Sequence, residues 1–144
     1  MHLDYKNNCQ KRAQDYRPLI FVVDNDRDNL LVASFIIESM GMGFVEIQDS
    51  DRCLELVYKL LPDIVLLDIV MPKVNGLEIV GEIAKDQKLA AISTIAVTGL
   101  TKVEDKNKLI AAGFDDYLSK PYLIEELENK IYRWLKCPLP QTQK

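Results

Sequence analysis

The chain has 144 residues and a formal net charge of −4, and 48% of its residues are hydrophobic. This length and composition fit one globular domain with a hydrophobic core, and the acidic balance argues against a surface that binds the phosphates of nucleic acids. No apolar run approaches the roughly 18 residues that cross a membrane, and the polar N-terminus lacks the apolar segment of a signal peptide.

The cysteines and the histidine suggest no metal or redox site. Cys9, Cys53 and Cys137 are widely spaced and form no C-x-x-C motif, and His2 is the only histidine. Scattered cysteines of odd number are typical of reduced thiols in a cytoplasmic protein. We therefore expect a cytoplasmic protein without a histidine phosphocarrier or a histidine-metal site.

The sequence divides into three parts. Residues 1–17 are polar, show no steady apolar period and are interpreted as an N-terminal extension. Residues 18–137 contain the regular patterns and form the predicted domain. Residues 138–144 begin with a proline, cannot continue a helix and are predicted to be a tail. Too few residues follow position 137 for a C-terminal output domain, so we expect a stand-alone domain.

Strand and helix patterns alternate five times within the predicted domain. Short apolar runs predict strands, and apolar positions at helical spacing that stop at glycine or proline predict helices. The predicted elements, in chain order, are strand 19–23, helix 28–40, strand 44–47, helix 54–61, strand 64–67, helix 77–83, strand 92–97, helix 102–112, strand 117–118 and helix 124–135. Such alternation predicts an α/β fold with a parallel sheet and helices on both faces.

Four of the five predicted strands end at a charged or hydroxyl side chain: Asp24, Asp68, Thr98 and Lys120. The carboxyl ends of parallel strands lie on one edge of the sheet, so these groups should meet there. Neighbouring carboxylates repel each other unless a cation relieves them, and Mg²⁺ binds one or two carboxylates together with phosphate oxygens. A carboxylate can also act as a nucleophile toward a phosphoryl group.

Four motifs, in this order, resemble the receiver domain of two-component response regulators. They are Phe-Val-Val-Asp at 21–24, Leu-Leu-Asp-Ile-Val-Met-Pro at 66–72 followed by Gly76, Thr-Gly at 98–99, and Asp-Tyr-Leu-Ser-Lys-Pro at 116–121. The resemblance covers residues 18–136. It implies a flavodoxin-like (βα)5 fold, a three-layer sandwich whose five-stranded parallel sheet has the order 2-1-3-4-5.

The resemblance also implies a role for each matching residue. Asp68 would be the phosphoacceptor, Asp24 would help to bind Mg²⁺, and Lys120 would pair with the charge of the phosphoryl group. Thr98 would turn its hydroxyl toward that group, and Tyr117 would be the aromatic switch that rotates inward with it. The family also places a cis peptide bond before the proline at 121.

The chain departs from the family pattern around the implied metal site. The family usually has two adjacent acids after the first strand, but Asn25 follows Asp24. An amide oxygen can bind a hard cation without adding charge, so Asn25 is a weak ligand and Mg²⁺ binding should be weaker. The implied site also includes the backbone carbonyl of Val70. Asp26 could compensate if the loop turned it inward, although capping of the next helix by Asp26 or Asp28 is the simpler interpretation.

Val70 and Leu100 occupy positions that affect hydrolysis of the acyl phosphate in the family. Apolar side chains cannot orient an attacking water, so we expect a long-lived phosphorylated state. Val70 also argues against a phosphatase of the haloacid dehalogenase type, which needs an acidic general acid/base there. The chain has no G-x-G-x-x-G or P-loop motif.

The expected partners are a histidine kinase or a histidine phosphotransfer protein, which would donate the phosphoryl group. A downstream protein would bind the face formed by the fourth helix, fifth strand and fifth helix, which would present Lys102, Lys106, Tyr117, Glu125 and Glu126. A homodimer through the same face is open, whereas nucleic acid and membrane are not expected partners. The domain would not be an enzyme beyond self-phosphorylation and slow autodephosphorylation.

Two alternatives keep the same fold. A pseudo-receiver would bind partners without being phosphorylated, and Asn25 is the feature that favours it. A phosphate sink would drain a kinase without an output surface. Retention of Asp68, Thr98 and Lys120 together favours a working receiver.

Overall fold

The structure is a computed structural model that describes residues 17–69, 76–99 and 103–135. Five parallel strands form one sheet in the order β2-β1-β3-β4-β5. The strands are β1 Leu19–Val23, β2 Gly43–Ile47, β3 Ile64–Asp68, β4 Ser93–Thr98 and β5 Asp116–Ser119. The α-helices are α1 Arg27–Ser39, α2 Cys53–Leu60, α3 Gly76–Lys85, α4 Val103–Ala112 and α5 Ile124–Trp134. Two short 3-10 helices, Ser50–Arg52 and Gln87–Leu89, were not predicted.

The helices cover both faces of the sheet, which confirms the predicted three-layer sandwich and flavodoxin-like fold. All residues of β3 and β4 are buried, as expected for strands that are covered on both faces and therefore lack polar alternation. One core layer joins the sheet to α1 and α5, and the other joins it to α2, α3 and α4. None of the helices in the described ranges is long and apolar enough to cross a membrane.

Local signals set the helix ends that were predicted. Asp26 caps α1, since its side chain accepts the backbone N–H groups of Asp28 at 2.8 Å and of Asn29 at 3.4 Å. Gly41 follows the same helix with a φ of +81°, and Gly113 follows α4 with a φ of +122°. Glycine adopts these left-handed angles without the penalty that a Cβ atom would bring.

Cys53 lies in the core at the start of α2 and is a free thiol. Burial raises the pKa of this thiol to about 12, so it stays protonated and unreactive at neutral pH. The other two cysteines lie outside the described residues.

The strand register brings the predicted residues to one edge of the sheet. Asp68, the last residue of β3, pairs with Val97, which precedes Thr98 at the end of β4. Thr98 in turn pairs with Ser119, and the backbone N–H of Lys120 donates to the Thr98 carbonyl oxygen at 2.7 Å. The expected cis peptide bond joins Lys120 to the following proline.

Candidate functional site

Asp24 enters the site directly from β1. Its backbone N–H donates to the carbonyl oxygen of Ile47 at 3.1 Å, which continues the pairing with β2. Its carboxylate turns back to accept the N–H of Asp26 at 2.9 Å. The residue is only 4% exposed, so a charged group is held in a largely dehydrated place.

Lys120 joins the two carboxylates of the site. Its Nζ atom lies 3.3 Å from Oδ2 of Asp24 and 3.1 Å from Oδ2 of Asp68. Asp68 is 5% exposed at the end of its strand. The structure therefore brings together three of the residues that were predicted to meet, although they are separated by up to 96 positions in sequence.

The charged groups of this cluster carry a net negative charge that a cation could balance. Burial raises the pKa of Asp24, and the neighbouring charge of Asp68 acts in the same direction, whereas the Asp26 N–H and the Lys120 ammonium oppose the rise. The charges of the two carboxylates and one ammonium sum to −1. A hard cation with oxygen ligands would relieve this excess.

The donor set fits Mg²⁺ but is small. The described residues contain no group of three or more His, Cys, Asp or Glu side chains that could hold a metal, but Mg²⁺ needs only one or two carboxylates beside water and phosphate oxygens. Asn25 is exposed, and its backbone oxygen accepts the Gln48 side-chain amide at 3.1 Å. Val70 lies outside the described residues.

Asp26 does not supplement this donor set. Its carboxylate accepts the two N–H groups at the start of α1, and the residue is exposed. The capping interpretation of Asp26 is therefore confirmed.

The two predicted switch residues lie on adjacent strands. Thr98 is fully buried at the end of β4. Tyr117 is half-buried on β5, the edge strand, and pairs with Ala96. Its ring lies 5.0 Å from Nζ of Lys106 and 5.6 Å from Nζ of Lys130, measured to the ring centroid. The movement of these residues stays a prediction.

A cavity of about 360 Å³ lies beside the carboxylates and was not predicted. Its walls come mainly from the end of β1, from α1 and from the loop between β5 and α5, which includes Tyr122. Burial raises the pKa of the Tyr122 phenol, and the charge of Asp24 raises it further. The lining residues are Val22, Val23, Asp24, Asn29, Val32, Ala33, Leu66, Asp68, Val97, Lys120, Pro121, Tyr122 and Leu127.

A second polar cluster was also missed by sequence reasoning. The two carboxylate oxygens of Asp116 accept hydrogen bonds from Nζ of Lys130 at 2.9 and 3.0 Å. One of them also accepts a hydrogen bond from the indole N–H of Trp134 at 2.8 Å. No sequence motif links Asp116 to Lys130 or Trp134. An acid next to a predicted strand is nevertheless a signal, because acids are almost never fully buried unless they are paired. Trp134 is half-buried against the core layer of α1 and α5.

The predicted partner face is only partly described. Lys106, Glu125 and Glu126 are on α4 and α5, and the two glutamates are exposed. Lys102 lies outside the described residues.

Comparisons with known proteins place this chain in a family. The sequence profile of the response regulator receiver domain matches residues 20–132. The polar-differentiation response regulator DivK of Brucella ovis is 28% identical over 116 residues, which are 81% of this chain and 94% of that protein. The DNA-binding dual master transcriptional regulator RpaA of Synechocystis sp. is 30% identical over 129 residues, which are 88% of this chain and 54% of RpaA.

The chain thus spans about half the length of RpaA, and likewise 48% of the probable transcriptional regulator ycf27 of Guillardia theta. Among solved structures, the receiver domain of a Francisella response regulator is 26% identical with a TM-score of 0.76, and the match covers 83% of this chain and 98% of that one. The chemotaxis protein CheY4 of Vibrio cholerae, 22% identical with a TM-score of 0.78, matches 83% of this chain and 100% of its own in fold. The chain belongs to the family of response regulator receiver domains, the signalling domains of two-component systems.

Proposed function

We propose that this protein is a response regulator that accepts a phosphoryl group on Asp68 from a histidine kinase or a histidine phosphotransfer protein in the cytoplasm. The observation that carries the proposal is the position of the Asp68 carboxylate. It lies at the end of a buried strand, 3.1 Å from the Lys120 ammonium, which also contacts Asp24. A carboxylate with an adjacent cation and a second acid is suited to receive a phosphoryl group.

In the transfer, an Asp68 oxygen attacks the phosphorus atom of a phosphohistidine. The P–N bond breaks as the P–O bond forms, and the imidazole leaves with the bonding electron pair. Lys120 then exchanges a carboxylate contact for a phosphoryl oxygen and stabilises the charge there. Mg²⁺, held by Asp24 and Asp68 with weaker help from the Asn25 amide and the Val70 carbonyl, would neutralise charge on the transferring group.

The proposed output follows from Thr98 and Tyr117. The Thr98 hydroxyl turns toward the new phosphoryl group, and the Tyr117 ring moves into the space that it leaves. This movement changes the face formed by α4, β5 and α5, through which a downstream protein or a second copy of the chain would bind. Lys106 and Glu126 lie on this face and give it mixed charge.

Intact mass after incubation with acetyl phosphate and Mg²⁺ tests the proposal. Wild type should gain one phosphoryl group, whereas Asp68→Asn should gain none. Asp28→Asn is the matched control, because Asp28 is an exposed acid at the start of α1. Asp28→Asn should be modified like wild type, and equal modification of Asp68→Asn would contradict the assignment.

A second function, a phosphorylation-independent binding module, is favoured by one observation. Asn25 takes the place of the second acid of the family, which removes one charged oxygen ligand from the implied metal site. If wild type stays unmodified although it is folded, Asn25→Asp separates the two functions. Modification of this variant alone would show that the amide has disabled the site.

A further inference from the structure

The Tyr117 ring is contacted by ammonium groups from both helical layers. Lys106 comes from α4, and its Nζ atom lies 5.0 Å from the ring centroid; Lys130 comes from α5, and its Nζ atom lies 5.6 Å away. An ammonium within about 6 Å of an aromatic ring is attracted to the negative face of the ring. The helices α4 and α5 cover opposite faces of the sheet. If the Tyr117 ring rotates from the position seen here, it therefore loses its contact with Lys106, with Lys130 or with both.

The Lys130 ammonium is fixed by a buried acid. Asp116 is 8% exposed and contacts Nζ of Lys130 with both carboxylate oxygens, at 2.9 and 3.0 Å. The same carboxylate accepts the indole N–H of Trp134 and the backbone N–H of Tyr117, each at 2.8 Å. Charge-assisted hydrogen bonds of this kind restrict where the ammonium can lie. The contact between Lys130 and the ring is thereby built into the packing of α5 on β5.

We propose that Lys106 and Lys130 are positioning residues that hold the Tyr117 ring in its resting place and so oppose phosphorylation of Asp68. The inference rests on the proposed function, because it concerns the same switch. A cation–π contact at a partly exposed site is worth a factor of about 2 to 5 in an equilibrium constant. The two contacts together therefore favour the resting position of the ring over a rotated position by a factor of about 4 to 25 in the equilibrium constant.

The test uses the full chain and two readouts. The ¹³C–¹H resonances of the Tyr117 ring, assigned with Tyr117→Phe, report the ring environment in the unphosphorylated protein. The rate of mass gain with acetyl phosphate and Mg²⁺ reports phosphorylation. Lys106→Gln should shift the ring resonances and raise the rate by about 2- to 5-fold, and Lys106→Arg should restore both. Lys108→Gln, an exposed lysine on the same helix, should change neither.

Lys130→Gln should act like Lys106→Gln, but it also removes a partner of Asp116 and can weaken the fold. Lys106→Gln therefore carries the decisive comparison. Ring resonances that stay the same as in the Lys108→Gln control overturn the proposal, and so does an unchanged rate when wild type is phosphorylated. If wild type is not phosphorylated at all, the proposed function fails, and the ring resonances alone decide whether the two lysines position the ring.

Discussion

Replacing Lys120 by Met would test how the phosphorylation site is held together. The ammonium contacts Oδ2 of Asp24 at 3.3 Å and Oδ2 of Asp68 at 3.1 Å, and both acids are at least nine-tenths buried. Methionine keeps most of the length and apolar surface of the lysine stem. The variant therefore leaves two buried carboxylates near each other without their cation, which is costly for the folded state.

The size of the effect can be worked from these distances. At an effective dielectric constant of about 20, each ion pair has a gross attraction of roughly 5 kcal/mol. Dehydration of the three groups offsets most of this gain, and the lysine side chain is 27% exposed, so water screens it. We expect Lys120→Met to lower the free energy of unfolding by about 1 to 3 kcal/mol near neutral pH.

Urea denaturation of wild type, Lys120→Met and Lys120→Met/Asp24→Asn measures this change. The double variant should recover stability, because it removes one of the two repelling charges. Mg²⁺ should stabilise Lys120→Met more than wild type, since the site is more negative and a ligand of the native state adds to its stability. Lys108→Met is the control for loss of an exposed lysine on α4. A Lys120→Met protein as stable as wild type, with no effect of Asp24→Asn in its background, would refute this reasoning.

Three further results are expected. Asn25→Asp should tighten Mg²⁺ binding by about tenfold in calorimetric titration, since it adds a charged oxygen ligand, and unchanged affinity would exclude this position from the site. Asp116→Ala should lower the free energy of unfolding by about 2 to 3 kcal/mol, because Lys130 and Trp134 lose a charged acceptor. Burial raises the pKa of Asp116, but the hydrogen bonds from Lys130, Trp134 and its neighbour's backbone N–H outweigh burial and lower it. The stabilisation by Asp116 is thus present above its unfolded pKa of 3.8 and lost as the pH falls through the lower folded pKa, so urea curves of wild type and variant should converge in acid. The phosphorylated protein should decay slowly by intact mass, because apolar Val70 cannot orient water, and a half-life of seconds would contradict this.

The sheet and the site edge could be predicted because both depend on patterns along the chain. The apolar run of β3 ends at Asp68, and the strand is buried over its whole length as expected. Lys120 and Asp24 are 96 residues apart, yet their meeting follows from topology, since the carboxyl ends of parallel strands share an edge. Gly41 and Gly113 likewise set helix ends through local backbone conformation.

The remaining contacts depend on how packed elements face each other, which no local pattern encodes. The pairing of Asp116 with Lys130 depends on how α5 is oriented about its own axis. The sequence around Lys130 does not distinguish it from the other lysines of the chain. The cavity beside Asp24 depends on how far α1 lies from the loop after β5 that carries Tyr122, and no apolar pattern in the sequence sets this distance. The short 3-10 helix Ser50–Arg52 was missed because its Asp49 cap resembles an ordinary turn residue.

The most direct test of the central claim is chemical mapping of the phosphorylated residue. Borohydride reduces an acyl phosphate to an alcohol, so a phosphorylated aspartate becomes homoserine, which peptide mass spectrometry can locate. After treatment with acetyl phosphate and Mg²⁺, we predict homoserine at position 68 and aspartate at position 24. Homoserine at another acid, or none in a folded protein, would contradict the assignment of Asp68 as the phosphoacceptor.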